Sequence, residues 1–201
     1  MGIPNNIPCG NCMLIAVTQS NVWFIEELFR HDDVKKYYVL RDDHAANIRS
    51  FCQYIVNSNI QNASLNYIIF NDYGDEVGFI SAEPVMNRAT GMPMWNVGYA
   101  VHPAHRRKGY ASSAVTGLSN YLLQNFSFQQ VMLDICEENI ASTNVAKKCG
   151  FSKPDDRTGY FDMEHPEIGM RFRWFKQLAG NRTVLFNQAV HFYRQKQYAE
   201  A

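Results

Sequence analysis

Three consecutive cationic side chains, Arg106, Arg107 and Lys108, stand directly before Gly109, with His105 ahead of them and Ala111 just beyond. A guanidinium meets a phosphate through two parallel hydrogen bonds, and a lysine adds a mobile point charge, so the run could grip a small anion. Gly109 lets the backbone approach a ligand closely, and Ala111 keeps the following turn thin. Apolar residues then recur at Ala111, Ala114, Val115, Leu118, Leu122 and Phe126, a rhythm that predicts a helix over Tyr110 to Phe126. The start of such a helix presents unpaired N–H groups and the positive end of its macrodipole where the cations cluster. The plain alternative is a solvated basic loop capping a helix. The segment is not a P-loop, for no Gly-Lys-Ser/Thr follows, and the three-glycine spacing of a dinucleotide fingerprint is absent.

Other residue types capable of chemistry point less far. Cys9-Gly-Asn-Cys12 has the spacing of a redox motif or half a zinc site. A redox pair belongs after a strand at a helix start, and tetrahedral zinc needs two more ligands, so two ordinary thiols are expected here. His102 and His105 lie in the basic loop, where surface or anion-side roles are simpler than metal binding, and no metal is expected. Cys149, beside Gly150 at a helix end, reads as a small core residue. The five cysteines are odd in number and scattered, no basic n-region precedes Glu26, and reduced thiols in a cytoplasmic protein are the simplest expectation.

Whole-chain arithmetic narrows the partners. The 201 residues carry 19 Lys+Arg and 19 Asp+Glu, a formal net charge of zero. Nucleic-acid binding needs a surplus of cations to displace counterions, so it is not expected. The charge-free stretch from Gly109 to Leu133 is interrupted by Ser, Thr, Asn and Gln, whose uncompensated polar groups would be costly in hydrocarbon, so no membrane span is expected. With 46% apolar residues and 13% aromatic ones the chain is no candidate for disorder. Its length fits one domain plus an extension, with residues 1–201 read as a single unit, a core over about 12–177 and a helical extension over about 181–199.

The elements that must position the basic loop follow from periodicity. Strands are expected over Cys12 to Thr18, Leu65 to Asn71, Val77 to Ala82, Met94 to His102, Val131 to Cys136 and Met170 to Gln177. Helices are expected over Asn21 to Arg30, Asp43 to Asn57, Tyr110 to Phe126 and Ser142 to Cys149, with Gly150 as the C′ residue of the last. Asn181 caps a final helix, Arg182 to Tyr198, which is expected to pack on its own sheet. The order gives a mixed α/β (α+β) class.

Val101, Pro103, Arg106, Gly109 and Ala111 together resemble the acetyl-CoA signature of GNAT-superfamily N-acetyltransferases, Arg/Gln-x-x-Gly-x-Gly/Ala. A second segment, Asn139 to Phe151, resembles the Asn-x-x-Ser-x-x-Val…Gly-Phe stretch of the branch related to ribosomal-protein N-terminal acetylases, through Asn139, Ser142, Val145, Gly150 and Phe151. The resemblance spans roughly Cys12 to Gln177. It implies a GNAT-like acyl-CoA N-acyltransferase fold: a central, mostly antiparallel sheet splayed at the cofactor, helices on both faces and here an extra C-terminal helix. It implies acetyl-CoA as co-substrate, pantetheine pairing at Ala100 and Val101, pyrophosphate on the loop from Arg106 through Arg107, Lys108, Gly109 and Tyr110 to Ala111, and cofactor contacts from Asn139 and Asn144.

The implied reaction is direct transfer of an acetyl group to a primary amine, either a protein N-terminus or a small molecule, with a main-chain N–H near Val101 stabilising the tetrahedral oxyanion. The branch favours the N-terminus. Many relatives carry an acidic Tyr where this chain has Ala146, and a Glu near Asn96. Those departures open the catalytic assignment. Ser142 matches a Ser that the acetylase branch is thought to use near the thiol, although it could instead cap its helix. Glu83 could replace the missing Glu, and Tyr99 and Asp134 are further candidates. They also motivate the alternative of a non-catalytic acyl-CoA-binding sensor or scaffold. A monomer or a homodimer is compatible with all of this.

Overall fold

The computed structural model describes residues 3–38, 40, 47–87, 91–128, 130–153, 160–161 and 170–177. Eight strands form one sheet: β1 (Asn6–Cys9), β2 (Cys12–Ala16), β3 (Leu65–Asn71), β4 (Glu76–Met86), β5 (Pro93–Val101), β6 (Gln130–Cys136), β7 (Tyr160–Phe161) and β8 (Met170–Gln177). Their spatial order is β1-β2-β3-β4-β5-β6-β8-β7, and every neighbouring pair is antiparallel except β5–β6. The helices are α1 (Trp23–Leu28), α2 (Asp32–Lys35), α3 (Ile48–Ile60), α4 (Tyr110–Asn125) and α5 (Ile140–Lys148).

The helices cover both faces. One apolar cluster joins Ala114, Val115, Leu118 and Leu122 of α4 and Ala146 of α5 to Leu14, Trp95 and Val97 of the sheet. The other joins α1 through Phe24, Ile25 and Leu28 and α3 through Phe51 and Ile55 to Phe79 and Ala100. Leu118 is fully buried; its truncation to alanine costs about 2–5 kcal/mol, so the start of α4 is fixed by a rigid body behind it. No helix among the described residues is long and apolar enough to cross a membrane.

Several boundaries differ from the periodicity reading for identifiable reasons. β1 was not expected, because Pro8 interrupts an otherwise short run; Pro is tolerated there because β1 lies at the edge of the sheet. It makes Cys9 and Cys12 cross-strand partners around a two-residue turn, with Gly10 at φ 60°. β4 runs on to Met86, past Ala82, where its pairing with β3 stops and Pro84 meets no ladder on that side. α3 reaches Ile60, three residues beyond the expected end, and begins at Ile48 with Asn47 capping the Arg49 and Ser50 N–H groups. The expected helix over Arg182 to Tyr198 lies outside the described residues.

Candidate functional site

β4 and β5 pair continuously from Gly78↔Val101 to Met86↔Pro93, but β5 meets β6 only at Trp95↔Val131 and Asn96↔Met132. Beyond Asn96 the two parallel strands separate, and a cavity of about 950 Å³ occupies the opening. His102 N–H donates to the Val77 carbonyl at 2.9 Å. Antiparallel alternation therefore turns the Ala100 peptide groups towards β4 and those of Tyr99 and Val101 towards the opening. The Ala100 oxygen indeed stands 2.5 Å from where a Cβ on Gly78 would be. Of the two backbone positions implied for pairing, Val101 turns its groups to the opening, where its carbonyl already accepts from Arg106 Nε, and Ala100 spends its own inside the sheet.

The basic loop borders the same cavity. Arg107 (φ 64°) and Gly109 (φ 88°) both adopt left-handed backbone, and Gly109 is the N-cap of α4. The first bond inside α4 is Ser113 N–H to the Gly109 carbonyl, 3.0 Å, which leaves the Tyr110, Ala111 and Ser112 N–H groups without an intrahelical acceptor. Asn11 Nδ2 holds the Lys108 carbonyl at 3.0 Å and so ties the loop to the β1–β2 turn. Arg106 is held as well, Nε on the Val101 carbonyl at 3.3 Å and NH1 on Asp33 at 3.1 Å. Ala100, Val101, Arg106, Arg107, Gly109, Tyr110, Ala111 and Asn139 line the cavity, as do Glu83, Tyr99 and Ser142; Lys108 and Asn144 do not. Asn139, rather than Ser142, caps α5, its Oδ1 accepting from Ser142 N–H at 3.0 Å, so the Ser142 hydroxyl is not spent on the cap.

The sheet divides the remaining candidates. Side chains alternate along β5, and Tyr99 packs with the α4–α5 cluster whereas Ala100 belongs to the α1–α3 cluster. Burial pushes the Tyr99 phenol up to about 12; the Ser142 side chain eases that rise and Cys149 adds to it. The Tyr99 hydroxyl is buried and has no partner in hydrogen-bonding geometry. On the opposite face Glu83 and Asn96 are register partners. Beside them the Tyr38 hydroxyl meets Ser81 Oγ at 3.1 Å, and burial raises the Tyr38 pKa. Asn96 Oδ1 is buried without a partner. Asp134 is engaged by Arg171 at 3.3 Å, which weakens its claim to a catalytic role.

Cys9 and Cys12 are buried free thiols, pushed up to about 11 and about 12, in both cases chiefly by burial. Neither is poised to ionise, in keeping with two ordinary thiols. A Cβ on Gly117 would stand 2.0 Å from Cys9 Sγ, so this pair serves the seam between β1 and α4.

The profile of the acetyltransferase (GNAT) domain family matches residues 14–152, well over half of the chain. This chain belongs to the GNAT acetyltransferases. No curated protein matches it. Among solved structures, the GNAT chain resembles the ribosomal-protein-S5-alanine acetyltransferase of Vibrio fischeri, with TM-score 0.70 and 14% identity over 87% of this chain and 97% of that one. It resembles RimL, the ribosomal L7/L12 alpha-N-protein acetyltransferase solved with coenzyme A, with TM-score 0.70 and 13% identity over 86% and 98%. A spermidine N-acetyltransferase of Vibrio cholerae, solved with CoA and spermine, follows with TM-score 0.66 and 14% identity over 83% and 95%. At such identities the likeness carries the GNAT fold, and the side chains must be judged on their own geometry. Three residues unmarked in the sequence also stand here: Tyr38 and Ser81 line the cavity beside Glu83, and Asn11 braces the loop from behind. Nothing in their spacing marks them, since each arrives from a distant element.

Proposed function

We propose that the protein transfers an acetyl group from acetyl-CoA to a primary amine, both held together in the opening between β5 and β6. The observation that carries this reading is the separation of those strands after Asn96, which leaves the Tyr99 and Val101 peptide groups facing a cavity bordered by the free N–H groups of α4. Acetyl-CoA supplies the activated acyl group. Val101 and Tyr99 pair with its amide arm as an added strand would. The Arg107 to Ala111 amides, with Arg106 already steered by Asp33, receive the pyrophosphate.

Glu83 takes the proton that an arriving ammonium must lose, and the neighbouring Asn96 oxygen accepts an N–H of the same amine. Tyr99 and Ser142, across the strand, hold protons for the thiolate that leaves. Holding two reactants in register supplies much of the rate. The acceptor is a protein N-terminus or a small amine, the two kinds named for the relatives above. Five buried free cysteines fit a reducing cytoplasm.

The test is calorimetry with acetyl-CoA followed by thiol release against a panel of N-terminal peptides and polyamines. One-to-one binding with turnover on at least one amine is expected. Tight binding with no turnover on any of them would favour a sensor or scaffold instead.

A further inference from the structure

A second set of polar side chains converges at the far end of β5, outside the acyl opening. Glu27 comes from α1, His31 precedes α2, and His102 follows β5; one ligand atom from each lies within 4.8 Å of the other two. His102 Nε2 is 3.8 Å from Glu27 Oε1. The His31 and His102 rings meet edge to face with centroids 4.6 Å apart. None of the three has a part in acetyl transfer as proposed above.

The donor chemistry is that of a zinc-class ion: two imidazole nitrogens and one carboxylate oxygen, with a fourth direction left to water. We propose that Glu27, His31 and His102 bind a divalent cation of this class, fastening α1 and α2 to the end of β5. Around a tetrahedral ion with bonds of about 2.0–2.2 Å, ligand atoms stand about 3.4 Å apart, so a spacing at the 4.8 Å limit must close by about 1.4 Å. Two of the ligands are placed to do so. The Glu27 side chain is 46% exposed, and the His31 side chain makes no capping bond to α2. The adjacent Glu26, not Glu27, meets Arg30 at 3.2 Å and Arg49 at 3.9 Å.

His102 is more enclosed than Glu27, with its side chain only 19% exposed. Its Nδ1 accepts the Ala104 N–H at 3.3 Å. Metal on Nε2 transfers the ring proton to Nδ1 and ends that long contact, a small loss beside a metal–nitrogen bond. Arg106, the nearest full positive charge of the loop, is already paired with Asp33.

The protein, stripped with a chelator, is titrated with zinc by calorimetry and with cobalt by visible absorption. One equivalent of each, with the intense d–d bands of four-coordinate cobalt, is expected. His31→Ala and Glu27→Gln should each weaken zinc binding by about tenfold or more while leaving the metal-free melting temperature unchanged. Zinc affinity unaltered in both variants overturns the site, as does binding that survives them and disappears when the thiols are alkylated.

Discussion

The two faces of β5 at the opening are made of different materials. On the α4–α5 face stand two hydroxyl groups: Tyr99, whose phenol burial pushes up to about 12, and Ser142. On the α1–α3 face stand a carboxylate, Glu83, and an amide oxygen without a partner, Asn96. One face can give a proton and the other can receive one. A strand's two-residue alternation achieves this separation with neighbouring residues, because successive side chains point to opposite sides of the sheet. The asymmetry suits aminolysis of a thioester, where the attacking amine sheds a proton and the departing sulfur gains one.

Removing the receiving side should have the largest effect. Glu83→Gln is expected to lower kcat by about 100- to 10,000-fold with acetyl-CoA affinity intact, and to recover as pH approaches the pKa of the acceptor amine. If Tyr99→Phe costs more than Glu83→Gln, the roles of the faces are exchanged. Both faces presuppose one cofactor seat, which Gly109→Asp should remove if the proposed loop forms it. Its carboxylate blocks the approach and repels phosphate, so acetyl-CoA affinity should fall by about 100-fold in calorimetry. An unchanged affinity in the folded variant would falsify the loop assignment.

The donating side should matter less. Tyr99→Phe and Ser142→Ala are each expected to lower kcat by about tenfold, because a thiolate leaves with little help. Asn96→Ala should raise KM for the amine about fivefold, the value of one hydrogen bond, with kcat unchanged. The smallest signature is in alkaline stability. The folded state raises the Tyr99 pKa from 10.0 to about 12, so it favours the neutral phenol relative to the unfolded chain. That contribution is complete below pH 10 and is lost between 10 and 12. A melting temperature followed across that range should decline less steeply in Tyr99→Phe.

What the amino-acid order revealed was local. The rhythm of Ala114, Leu118 and Leu122 marks α4, and the cation run before Gly109 marks the loop that precedes it, because both signals lie within a few residues. β1 escaped because Pro8 looks like a breaker until its edge position is known. Ser142 suits the N-cap of α5 by residue type, yet Asn139 fills it three residues earlier. Both residues are good caps, and only the backbone decides between them. The Glu83–Asn96 pairing depends on strand register, which no short window of sequence contains. The partner that engages Asp134, Arg171, lies 37 residues away and so outside any short window of sequence.

The bond from Asn11 to the Lys108 carbonyl joins residues 97 apart in the chain. During synthesis the hairpin that carries Asn11 must wait for 97 further residues before its partner exists. Contacts this distant in sequence are slow to form, since the intervening loop must close first. The basic loop is therefore expected to acquire its shape late, once β2, β3, β4 and β5 have assembled beneath it. A partly folded chain can hold much of the sheet and still be unable to bind its cofactor, so ligand binding by a nascent or refolding sample reports completion of the fold rather than its onset.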